Sequence, residues 1–386
     1  MASQVYLHLG LPKTATTYLQ TIVWTARNRL RADGLLLPGR ERRDHLWASR
    51  EIRGDRHLDR LPARAATAWT RLREELARWP RRGLISHEFF AAASAAQAAS
   101  MVAALAPAEV HLVLTAREPL GLFTASWQES LKNRATEPIG SYSREVATSP
   151  MRVWNWRALD LRLVLERWGQ AVPAERIHIL PLDTTAAREE IWHRFGGLLG
   201  LATADYDLSA SFPNESMGVV EAETLRRINL ALTGAAGGTE PPLPHAFAHA
   251  FDKGVYLRTF LADERLVPRR GERFWPPADR VTECRQRGEE AVAHIRRHGY
   301  DVVGDLDRLL VPAELPDRRT PESVTDAEVA EVATWLVAHL LGDVRQLRTA
   351  PATPDGRAAD ASGDGARGEG AGSMAGRVRR WLPGAR

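Results

Sequence analysis

Cysteine is almost missing from this chain. The single residue, Cys284, rules out an internal disulfide and a cysteine metal site. Long apolar runs are missing too: none reaches the ~18–20 residues that span a bilayer. The first residues show no basic stretch leading into an apolar core and a cleavage site, and strand-like residues start at Gln4. These absences predict a soluble, non-secreted, cytoplasmic protein with no stable membrane insertion. Lysine is the third scarcity. It occurs only at Lys13, Lys132 and Lys253, while arginine supplies almost all the base in a net charge of +4. The arginines are interleaved with acids and form no single stripe, which argues against a nucleic-acid partner. In a chain that avoids lysine, each lysine is informative.

What is present is an alternation of strand and helix signals. Residues 4–11 read as a short strand and Thr16 to about Asp33 as a helix, with Thr14 or Thr16 as its N-cap. Gly34 stops it, and residues 35–38 are extended. Residues 39–60, rich in Arg, Asp and Gly, predict a surface loop or lid. A helix follows over 62–79, a strand over 83–86, a helix over 91–105, and the clearest strand over 110–116. Further helices are expected from Pro119 to about Asn133 and over 151–169, with a strand at 176–180. This order implies an α/β fold with a parallel sheet covered on both faces. After about residue 200 strand signals fade. Helices near 218–232, 244–262, 280–297 and 325–341 form a mainly helical C-terminal part. The expected division is one domain over 1–349, its core at about 1–200 and its helical part at about 201–349. A tail over 350–386 lacks apolar periodicity and ends in the basic-aromatic cluster 377–382.

The segment from His8 to Gln20 carries the chemistry. A strand that turns through small residues into a helix gathers backbone N–H groups at the positive end of the helix dipole, where a phosphate or sulfate fits. Lys13 adds a full charge, and Thr14, Thr16 and Thr17 add hydroxyls. The order does not match Gly-x-x-x-x-Gly-Lys-Ser/Thr, the nucleotide P-loop. Pro12-Lys13-Thr14-Ala15-Thr16-Thr17 instead resembles the 5′-phosphosulfate loop of sulfotransferases, where Pro-Lys-Ser/Thr-Gly-Thr-Thr is typical. Alanine replaces glycine at position 15, a change that matters if that residue needs positive φ.

The resemblance extends over most of residues 4–310 and is closest to actinobacterial sulfotransferase-like proteins, through Trp127–Asn133, Asn214–Gly218 and Arg226–Asn229. It implies a bacterial enzyme with a P-loop-type three-layer core, a central parallel sheet flanked by helices. It also implies 3′-phosphoadenosine 5′-phosphosulfate (PAPS) as co-substrate, with no metal, and transfer of its sulfuryl group to a small-molecule, glycan or lipid acceptor. Lys13, Thr14, Ala15, Thr16 and Thr17 would cradle the 5′ side. Arg117, at the end of the strand 110–116, would hold the 3′-phosphate together with Ser126. The usual serine position, eight residues after the arginine, is here Ala125, with hydroxyls on either side at Thr124 and Ser126. Ser86-His87-Glu88 offers the base: Glu88 first, provided burial raises its pKa, and His87 second. His45 and His57, in the expected lid, are further histidines within reach of an acceptor. Asn214 and Ser216 either touch ligand or cap the helix that starts near 217. Two other readings remain: a P-loop small-molecule kinase, which needs a magnesium carboxylate that Ala116-Arg117 does not supply, and a non-catalytic nucleotide-binding protein.

Overall fold

The computed structural model describes residues 1–209, 216–234, 247 and 249–349. Asn214 and the whole of 350–386, including the cluster 377–382, lie outside these residues. The described chain forms two compact units, Met1–Val337 and the short stretch from Ala338 onward. Everything below concerns the first.

Six strands form one sheet: β1 (Gln4–Gly10), β2 (Leu35–Leu36), β3 (Arg82–Ser86), β4 (Glu109–Ala116), β5 (Ile177–Pro181) and β6 (Asp301–Val302). Their order is β2-β3-β1-β4-β5-β6, and every pair is parallel. Between β1 and β5 lie α1 (Thr16–Thr25), α2 (Arg27–Ala32), α3 (Arg42–Ile52), α4 (Ala68–Ala77), α5 (Ala95–Ala103), α6 (Pro119–Lys132), α7 (Trp156–Leu159) and α8 (Leu161–Trp168). After β5 come α9 (Glu190–Leu198), α10 (Val219–Thr233), α11 (Ala250–Asp252), a π-helix (Lys253–Leu266), α12 (Ala278–His298) and α13 (Asp326–Thr349).

Side chains alternate across a strand, so each strand feeds two cores. Val5, Leu7 and Leu9 of β1 join Leu112 and Leu114 of β4 on one face. Tyr6, Leu84 and Val113 face the other, against Ile22, Trp192 and Phe195. The result is the expected three-layer α/β core with a mainly helical C-terminal part. The chain leaves β1 toward β3 on one side and reaches β4 on the other. The crevice at their carboxyl ends is therefore the switch point, where open parallel sheets bind ligands.

Several expectations change. Residues 39–60 are not a loop or lid. They contain α3, with Asp44, His45, Trp47, Ala48 and Ser49 buried along one face. Arginine-rich exposed positions hid that stripe. The helix expected over 16–33 breaks at Ala26, and that over 151–169 restarts at Asp160, whose carboxylate caps α8 by accepting from Leu163 N–H at 3.2 Å. The sheet also gains β6, far along the chain and only two residues long, too short for a periodic signal. Of the helix expected over 244–262, the described part is α11 followed by the π-helix.

Candidate functional site

β1 ends at Gly10, with φ +79°. A Cβ there would sit 2.6 Å from Glu88 Cβ and 3.0 Å from Glu88 Cα, so only glycine lets the base candidate press against the root of the loop. Leu11 N–H donates to Thr115 O at 2.5 Å, tying the loop to β4. Lys13 (φ +65°) and Ala15 (φ +63°) are both left-handed. Such residues turn successive amides toward one point, an anion nest, directly before the unpaired first amides of α1. The N-cap of α1 is therefore Ala15, which has no side chain to cap with, and neither Thr14 nor Thr16 serves. A left-handed alanine costs about 1 kcal/mol that glycine avoids.

Thr14 is fully buried, and its hydroxyl donates back to Leu11 O at 2.6 Å. It braces the loop from within. Thr16 is buried as well, while Thr17 is exposed and accepts from Arg42 Nη2 at 3.4 Å.

Beneath the loop runs a chain of buried polar groups: Gln20, Ser86, His8, Thr115 and Thr14. Because each hydroxyl has one proton, its direction is determined. Thr14 gives its proton to Leu11 O, so Thr115 donates to Thr14 (2.7 Å) and accepts from His8 Nε2–H (3.3 Å). His8 Nδ1 then accepts from Ser86 Oγ–H (2.8 Å), and Ser86 Oγ accepts from Gln20 Nε2 (3.3 Å). The other amide proton of Gln20 reaches Glu88 Oε2 at 3.2 Å. This direction needs a neutral His8, and burial pushes its imidazole down to about 4.

Glu88 does not behave as expected of a tuned base. Burial works against its charge, but His87, Arg42 and the Gln20 amide outweigh it, and its carboxyl titrates below the ordinary glutamate value. It stands ionised at neutral pH. His87 is pushed down to about 4, chiefly by burial. Its Nδ1 accepts from Phe89 N–H at 3.1 Å, which leaves the proton of the neutral ring on Nε2. His45 does not point at an acceptor. It is buried, and Nδ1 accepts from Ser86 N–H (3.1 Å) while Nε2–H donates to Pro38 O (2.8 Å). His57 is exposed, as is Ser216.

Lys13 Nζ lies 3.1 Å from Glu129 Oε2. Glu129, on α6, is nearly buried, and its other oxygen holds Arg258 of the π-helix. Burial again opposes the charge, but Lys13, Arg258 and Lys132 bring the Glu129 carboxyl down to about 2. Among the described residues no cluster of His, Cys, Asp and Glu is placed to hold a metal ion. No helix there is long and apolar enough to cross a membrane.

No family model matches the chain, and no curated protein matches it. Among solved structures, the chain is similar to a sulfotransferase from Alicyclobacillus acidocaldarius. The identity is 16%, the match covers 61% of this chain and 96% of that one, and the TM-score is 0.38.

At the second loop, Arg117 Nη2 pairs with Glu118 Oε1 at 3.3 Å, yet its buried Nε has no hydrogen-bond partner among the described residues. An anion beside Arg117 would fit that orphan donor. Ser126 is a correction. It is fully buried, and its hydroxyl is committed to Tyr142 OH at 2.7 Å. The hydroxyl of Thr124 donates to Leu120 O. The partly exposed position between them is Ala125. Sequence reasoning missed Arg42, Glu129 and Arg258. The pairing of scarce Lys13 and Lys132 with one acid at Glu129 was the available signal.

Proposed function

We propose that this protein is a sulfotransferase that moves the sulfuryl group of PAPS to a hydroxyl of a small molecule, glycan or lipid, an amine being the less favoured acceptor. The observation that carries the reading is the left-handed loop at Lys13–Ala15, opening on the N-terminus of α1, with Glu88 packed on Gly10 beside it. PAPS supplies an activated sulfuryl group whose bond to the phosphate oxygen breaks as the bond to the acceptor oxygen forms.

In this reading the loop amides hold the 5′-phosphosulfate, and Lys13 neutralises charge that develops on the departing phosphate. Arg42, bonded to Thr17, adds a second cation at the loop rim. Glu88 takes the acceptor's proton. A carboxylate ionised at neutral pH is ready for that role, though a weaker base than one tuned upward. His87 is less suited, because its only lone pair already accepts from Phe89. Arg117, with its unpartnered Nε, takes the 3′-phosphate without help from Ser126.

Lys13→Met should lower turnover by about 10²–10³-fold, the usual cost of removing one preorganised charge donor from a transition state. The assay is transfer from PAPS into a metabolite extract, read as the mass gain of one SO₃. Glu88→Gln should slow transfer while leaving binding of 3′-phosphoadenosine 5′-phosphate intact. Undiminished turnover in Lys13→Met would overturn the mechanism. A second reading, nucleotide binding without transfer, draws on the buried Ser126 and the strained Ala15. Tight binding of 3′-phosphoadenosine 5′-phosphate with no sulfated product from any extract would favour it.

A further inference from the structure

The π-helix is fastened to α6 by two ion pairs of opposite sense. Arg258 meets Glu129, and Asp263 Oδ1 lies 2.5 Å from Lys132 Nζ. On α6 the two partners are three apart and share a face. On the π-helix they are five apart. In an α-helix such residues would diverge by about 140°, whereas i→i+5 bonding brings them back toward one side. The rare helix type is what lets both pairs form, and it delivers Arg258 to the rear of the phosphate loop.

Glu129 thereby bridges two cations with separate oxygens: Lys13 with Oε2 and Arg258 with Oε1. Both cations are about one-third exposed along the side chain, 29% and 34%, while the carboxylate is 6% exposed. The carboxylate is sealed in, and its two partners lie at the water's edge. A phosphate-bearing ligand on the loop needs Lys13 and brings more negative charge than one carboxylate. It would be attracted by Arg258 and repelled by Glu129.

We propose that Arg258 is a further anion-binding residue of this site, and that Glu129 holds Arg258 and Lys13 as an internal competitor that the ligand displaces. The proposal rests on the reading of the loop as the phosphate site of a phosphosulfate donor. A tethered competitor lowers apparent affinity by the fraction of time it occupies the cations. It also keeps two neighbouring cations from repelling each other when no ligand is bound.

The test is calorimetric titration of the full chain with 3′-phosphoadenosine 5′-phosphate and, separately, with inorganic pyrophosphate. Glu129→Gln, which keeps shape and removes charge, should bind both probes about tenfold tighter than wild type. Arg258→Met should bind both about tenfold more weakly, and Arg258→Lys, which keeps the charge, should fall within about threefold of wild type. Thermal melts establish that each variant is folded, and Arg258→Lys against Glu129→Gln carries the comparison if Arg258→Met does not fold. Equal or weaker binding by Glu129→Gln, or unchanged binding by folded Arg258→Met, overturns the proposal. If pyrophosphate shows the pattern and the nucleotide binds no variant, the donor reading falls while the competition stands. If neither probe binds wild type or Glu129→Gln, both fall.

Discussion

The loop after β1 and the turn after β4 stand at adjacent strand ends, yet they are built differently. The first is a backbone device: left-handed residues at Lys13 and Ala15, a buried threonine bracing it, and a cation held by a displaceable acid. The second is a side-chain device. It has one arginine already touching Glu118, and its neighbouring hydroxyls are spent on Tyr142 and Leu120. A backbone nest keeps its function when one residue type changes, because its donors are amides. A helical side-chain site does not, because a shift of one position turns the group by about 100°. Ala15 therefore strains the first site without removing a donor, whereas Ala125 removes one from the second.

The sharpest way to separate the two regions is pH. His8, His45 and His87 all lie beneath the first loop and are held down at about 4 by burial. Their folded pKa values are depressed, so the unfolded chain binds protons first as pH falls from the model value of 6.5. Stability should therefore drop between pH 6.5 and about 4, each histidine contributing on the order of 3 kcal/mol. Urea unfolding across that range measures the slope, and His8→Gln should remove its share. A slope unchanged in the variant would disconnect the His8 chain from acid stability.

At the second region, Ser126→Ala should cost about 1–3 kcal/mol by stranding Tyr142 OH, with no change in affinity for 3′-phosphoadenosine 5′-phosphate. Its companion, Ala125→Ser, should strengthen that affinity a few-fold by restoring a hydroxyl at the partly exposed position. Equal loss of affinity in Ser126→Ala would return Ser126 to the site. The smallest effect belongs to the first loop. Ala15→Gly should raise stability by about 1 kcal/mol, read in thermal melts, because glycine carries no penalty at positive φ. A destabilised Ala15→Gly would mean that the loop prefers its alanine.

The strands and the loop were legible because their signals are local. β4 is a continuous apolar run, and Pro12-Lys13-Thr14 sits at its strand–helix turn whatever the rest of the chain does. α3 was not legible, because its buried polar residues Asp44 and His45 are satisfied only by tertiary partners such as Arg71, Pro38 and Ser86. Ser126 was misread because its neighbours in sequence resemble a ligand site, while its partner, Tyr142, comes from the loop beyond α6.

By itself the sequence determined a parallel α/β core, a cation at the first strand end and a carboxylate at the next, since each follows from residue type and short-range period. Only the tertiary structure decided how those charges are set. Burial drives three histidines neutral, crowding by His87 and Arg42 keeps Glu88 ionised, and a π-helix from the far half of the chain delivers Arg258 to Glu129. Charge state depends on desolvation and on neighbours distant in sequence, and the packed structure alone brings these together.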